Sequence, residues 1–85
     1  MKNSLYSVYD KKAEVYSQPF TAINDEVAVR IIRNCVANPE HTYALNPEDF
    51  QLLKVAEFDD SEGQITPDEK PLLDLITLAK KEPKQ

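Results

Sequence analysis

The sequence predicts a small α+β fold: an antiparallel sheet in the order β-β-α-β-(β)-α, with one helix packed on a face and a second helix at the C-terminus. Three observations predict it. Aromatic and β-branched residues gather in two short runs around a polar break, at 5–9 and 15–17. Apolar residues then recur at helical spacing over 25–37, and a third strand-like run occupies 50–58.

Leu5-Tyr6-Ser7-Val8-Tyr9 and Val15-Tyr16-Ser17 flank Asp10-Lys11-Lys12-Ala13 and read as a β-hairpin. A tight loop would set Val8 opposite Val15 and Ser7 opposite Tyr16, although no Asn-Gly or Gly-Gly pins that register. Pro19 ends the second strand, because it cannot donate a ladder hydrogen bond. Asn24 is a good N-cap, and Asp25 and Glu26 complement the positive end of the helix dipole. Val27, Ala28, Ile31, Ile32, Cys35 and Val36 fall on one helical face, with Arg30, Arg33 and Asn34 on the other. Val27, Ile31 and Cys35 should therefore be largely buried, and Arg30 and Arg33 exposed.

Residues 38–49 read as a loop with two Asn-Pro steps, each of which pushes its Asn toward extended geometry. Residues 50–58 form the third strand. Residues 59–63 make a turn around the sole glycine, Gly63, expected at positive φ. Residues 64–66 return as a short edge strand. Leu72, Leu73, Leu75, Ile76 and Ala79 indicate the second helix, with Pro71 in its first turn, Lys80 and Lys81 near its end, and the last residues frayed. Residues 1–67 thus form the α+β domain and residues 68–85 a helical extension.

Strands one and three carry apolar bulk on both faces: Tyr6 and Val8 against Leu5 and Tyr9, and Phe50, Leu52 and Phe58 against Leu53 and Val55. Helix 25–37 can cover one face. The other must meet the C-terminal helix, a second subunit or a ligand.

A chain of 85 residues holds one core, and its margin of stability is thin. Cys35 is the only cysteine, so no intrachain disulfide forms, and Cys35 and His41 alone cannot build a metal cluster. Self-association as a homodimer or higher oligomer is the remaining support. A lone cysteine fits a reducing compartment, and neither a signal peptide nor a spanning segment is evident, so a cytoplasmic location away from the membrane is expected.

The net charge is −5, against the basic footprint of a phosphate clamp. That charge is uneven. Residues 1–37 balance Lys2, Lys11, Lys12, Arg30 and Arg33 against Asp10, Glu14, Asp25 and Glu26. After position 38 acidic residues dominate, so a polyanion would have to meet the first half.

Catalytic signatures are missing from the sequence, and no enzyme activity or cofactor is expected. His41 has no partner at catalytic spacing, and Cys35 reads as an inert thiol on the apolar helix face. Asp59, Asp60 and Glu62 miss the calcium-loop spacing and read as a solvated turn. Binding has better support. Tyr6, Tyr9, Tyr16 and Phe20 cluster on or beside the hairpin near lysines, a combination that can stack single-stranded bases while cations meet phosphates. The alternative is that these rings are core. The candidate nucleic-acid-binding residues are Lys2, Lys11, Lys12, Arg30 and Arg33, with Tyr9 and Tyr16 as stacking partners.

The run Leu5-Tyr6-Ser7-Val8-Tyr9-Asp10, followed by Tyr16-Ser17-Gln18-Pro19-Phe20, resembles a known family. So does Pro47-Glu48-Asp49-Phe50 leading into Glu57-Phe58-Asp59-Asp60-Ser61-Glu62-Gly63. The family is the small nonstructural protein of gokushoviruses, the Microviridae phages with single-stranded DNA genomes, known as the phage fifth-open-reading-frame protein. The resemblance covers roughly residues 3–67. It implies DNA binding and a role like that of protein C of other microviruses, which switches replication from duplex amplification to single-strand synthesis. The implied setting is the host cytoplasm and the implied partner single-stranded DNA, or a phage or host replication protein if the chain is instead a protein-interaction module.

Overall fold

The computed structural model describes residues 2–79 and confirms the α+β class. Its open antiparallel sheet contains β1 (Lys2–Asp10), β2 (Val15–Tyr16), β3 (Phe20–Ala22), β4 (Phe50–Asp59) and β5 (Gln64–Asp74). Strand β1 lies between β4 and an edge shared by β2 and β3, and β5 forms the far edge. The helices are α1 (Asp25–Ala37), α2 (Thr42–Leu45) and α3 (Leu75–Ala79), with a 3-10 turn at Pro47–Asp49.

The hairpin forms, but its register differs from the expected one. Tyr9 faces Tyr16 and Asp10 faces Val15, leaving a four-residue loop at 11–14. Asp10 sets this loop: its Oδ1 accepts from the Lys12 and Ala13 amides at 3.0 and 3.1 Å, and its carbonyl accepts from the Glu14 amide at 2.7 Å. Glu14 closes the loop at φ 61, a left-handed position usually given to glycine or asparagine. Pro19 does interrupt the strand as expected, yet the chain resumes on the same edge as β3. Within the gap the Ser17 Oγ accepts from the Val8 amide at 3.0 Å, so the ladder stays satisfied.

Helix α1 has the expected bounds and cap, with the Asn24 side chain accepting from the Val27 amide at 2.9 Å. Its orientation corrects the sequence expectation. Ala28, Ile32 and Val36 are buried and the half-buried Val27 and Val29 pack against the core, whereas Cys35 is half-buried and Ile31 is 40% exposed. Two parallel stripes, 27/31/35 and 28/32/36, share one period, and packing selects the second. Arg30 and Arg33 are exposed, as expected.

Residues 38–49 are not a plain loop. The His41 Nδ1 accepts from the Tyr43 amide at 3.0 Å and caps α2, and the Tyr43 ring lies 4.8 Å from Phe50. Two further corrections fall near the C-terminus. Strand β5 runs eleven residues, not three, and absorbs Pro71, Leu72 and Leu73, which were expected in the second helix. Both Pro67 and Pro71 are accommodated because β5 is an edge. Helix α3 therefore begins only at Leu75, and position 67 falls inside β5. Gly63 has the expected positive φ, at 66°. Lys80 and Lys81 lie outside the described residues.

One core results. Tyr6 and Val8 of β1, Phe50 and Leu52 of β4, the α1 stripe and Leu75 of α3 pack together. Both α1 and α3 thus cover the same face of the sheet.

Candidate functional site

Because Tyr6 and Val8 point into the core, alternation sends Leu5 and Tyr9 to the opposite face. Tyr16 lies directly across from Tyr9, and Leu53 pairs with both Ser7 and Pro71, so these residues share that face. No described helix covers it: the C-terminal helix packs with α1, on the other side. Ser7 is nonetheless buried, because Ser17 folds over it and accepts its hydroxyl at 2.8 Å.

The Tyr9 and Tyr16 rings lie 4.6 Å apart and tilted by 43°. Tyr16 is 59% exposed despite this contact, so part of its ring remains available for stacking. Lys11 and Lys12 are exposed in the adjoining loop. The Lys11 ammonium sits 3.6 Å from Asp74, whose strand partner is Gln51, the neighbour of Tyr9 on the same face. That ion pair is loose and solvent-exposed, worth little against a competing phosphate.

The other candidates lie elsewhere. Lys2 stands at the far end of β1, about 27 Å from Asp10 at the usual strand rise, opposite Asp59 and close to Glu57. Arg30 and Arg33 ride on α1, across the sheet from the two tyrosines. Arg33 borders a cavity of about 310 Å³ together with Val36, Pro39, Ala44 and Leu78. The structure therefore joins Tyr9, Tyr16, Lys11 and Lys12 and separates Lys2, Arg30 and Arg33 from them. Tyr6 and Phe20, the other rings of the cluster, stack at 5.8 Å, with Tyr6 in the core.

Two ionic networks escaped the sequence reading. The Lys54 ammonium donates to Glu57 at 2.9 Å and Asp68 at 3.0 Å, and these bonds, Glu57 first, hold it protonated well above the usual lysine range. The Tyr6 hydroxyl donates to Asp25 at 2.7 Å, and Lys70 donates to the second Asp25 oxygen at 2.9 Å. Those bonds, Tyr6 first, hold the Asp25 carboxyl below its ordinary range. Burial, reinforced by Asp25, pushes the Tyr6 phenol up to about 12. Neither network frees a cation for a ligand.

Among the described residues, no cluster of three or more His, Cys, Asp or Glu is arranged to hold a metal ion, and no helix is long and apolar enough to cross a membrane. No curated protein and no solved structure matches the chain. The family model for the phage ORF5 protein matches residues 3–81, nearly the full length and beyond the stretch in which the sequence motifs were visible. On that match, the chain belongs to the phage ORF5 protein family.

Proposed function

We propose that this phage protein binds single-stranded DNA through the hairpin end of its uncovered sheet face. Its role would be nonstructural and non-enzymatic: control of viral DNA replication, at the switch to single-strand synthesis, in the host cytoplasm. The observation that carries the reading is the Tyr9–Tyr16 ring pair beside Lys11 and Lys12. Exposed aromatics on a sheet supply stacking surface for unpaired bases, and the loop lysines supply counter-charge for the backbone. The acidic turn at residues 59–62 lies at the opposite end of the sheet, beside Lys2. A gel-shift comparing single- and double-stranded oligonucleotides at low salt tests it, and a shift confined to the single strand is expected.

A second reading is favoured by the net charge of −5 and by the half-buried Leu5, Leu53 and Val55 on the same face. In it the chain docks a phage or host replication protein, or a second copy of itself, without touching DNA. Absence of any shift at low salt supports this reading. Sedimentation tests the self-association, with a clean monomer of 9.7 kDa contradicting it.

A further inference from the structure

The uncovered face holds a cleft of about 190 Å³. Tyr16 walls it, Leu53, Val55 and Pro71 give it apolar surface, and Gln51 and Glu69 give it polar groups. Lys54 and Lys70 also border it, but their ammonium groups are engaged by Glu57 and Asp68 and by Asp25. With its bordering cations engaged, the cleft is poorly suited to a phosphate. Its volume lies below the roughly 300–1,000 Å³ typical of sites for drug-sized ligands, so its occupant is a small group, on the scale of one ring. Contact with Tyr9 holds the Tyr16 wall in place before any ligand arrives.

The polar groups narrow the ligand further. The Glu69 carboxylate only accepts hydrogen bonds, and Gln51 can accept through its amide oxygen. An exocyclic amino group is the complementary donor, as when a carboxylate accepts from cytosine N4. Thymine presents a carbonyl oxygen at that position and would meet the Glu69 carboxylate with like polarity.

We propose that this cleft takes one base of a single DNA strand, stacked on Tyr16, and that Gln51 and Glu69 make it prefer cytosine to thymine. The proposal rests on the single-strand-binding reading above. Lys11, drawn toward Asp74 beside Gln51, then stands at the end of the cleft where the strand's phosphates pass.

Fluorescence anisotropy with labelled oligo(dC) and oligo(dT) at neutral pH and low salt tests it. Wild type should bind oligo(dC) about fivefold or more tightly, in line with a base-edge contact. The Glu69→Gln variant, altered at an exposed position, should lose most of that ratio while still binding oligo(dT). Titration of the wild type with deoxycytidine monophosphate should shift the Leu53 and Val55 methyl resonances. Equal affinity for the two oligonucleotides, or shifts confined to other residues, overturns the base site and leaves single-strand binding standing. Failure to bind either oligonucleotide overturns both.

Discussion

The Tyr6 hydroxyl donates to the Asp25 carboxylate at 2.7 Å, tying the middle of β1 to the first turn of α1. Tyr6 is 0% exposed, so its hydroxyl has lost water, and Asp25 replaces it. Through the same carboxylate, Lys70 holds β5 to the helix. One side chain therefore fixes where α1 begins relative to two strands, β1 and β5.

Tyr6→Phe should cost about 1.5–3 kcal/mol, the usual range for a hydrogen bond to a charged group. Urea unfolding followed by circular dichroism measures it. An unchanged midpoint would mean that the bond contributes nothing to stability.

Stability should fall at both ends of the pH scale. The folded-state carboxyl of Asp25 titrates below its ordinary 3.8, so its contribution is present above that pH and is lost as pH falls through the lowered value. Tyr6 titrates near 12 in place of 10.0, so its contribution is complete below pH 10 and is lost as pH rises toward 12. Burial raises Tyr43 as well, adding to the alkaline limb. Melting temperatures across pH should show a plateau between these limbs, with the alkaline limb reduced in Tyr6→Phe.

The two apolar stripes of α1 make a paired test. Ile32→Ala should cost about 2–5 kcal/mol, because Ile32 is 3% exposed within the core. Ile31→Ala should cost about 1 kcal/mol or less. Comparable losses at the two positions would contradict the helix rotation.

That rotation shows where the sequence stopped being informative. The bounds of α1 and its Asn24 cap were legible because they depend on local chemistry. Which of two adjacent stripes faces inward depends on α3 and the sheet, and periodicity carries no such information. Strand β5 was masked by Pro67 and Pro71, which forbid a central strand but not an edge. Helix α2 was hidden because its cap is the imidazole of His41. The same distinction governs the site. Tyr9, Tyr16, Lys11 and Lys12 are close in sequence and their cluster was visible, whereas Arg30 and Arg33 went to the far side of the sheet. Gln51 and Glu69 were missed. Alternation with Leu53 could have placed Gln51 on the open face, but Glu69 required the length of β5.

Glu14→Gly should stabilise the chain by up to about 1 kcal/mol. A left-handed backbone costs a residue with a Cβ roughly 1–2 kcal/mol, offset in part by the greater freedom of glycine when unfolded. Thermal unfolding reports it, and a lower melting temperature would show that the loop does not hold Glu14 at φ 61 in solution.

The most direct test of the hairpin-end site is the salt dependence of single-strand binding in wild type and in the Lys11→Glu, Lys12→Glu double variant. With two phosphates neutralised per chain, the wild-type log–log slope should be about −1.4. Both substitutions lie in an exposed loop, so the fold should survive while binding to all sequences weakens alike. Loss of affinity together with a flattened slope is the predicted result. Undiminished affinity and an unchanged slope in the double variant would contradict the account.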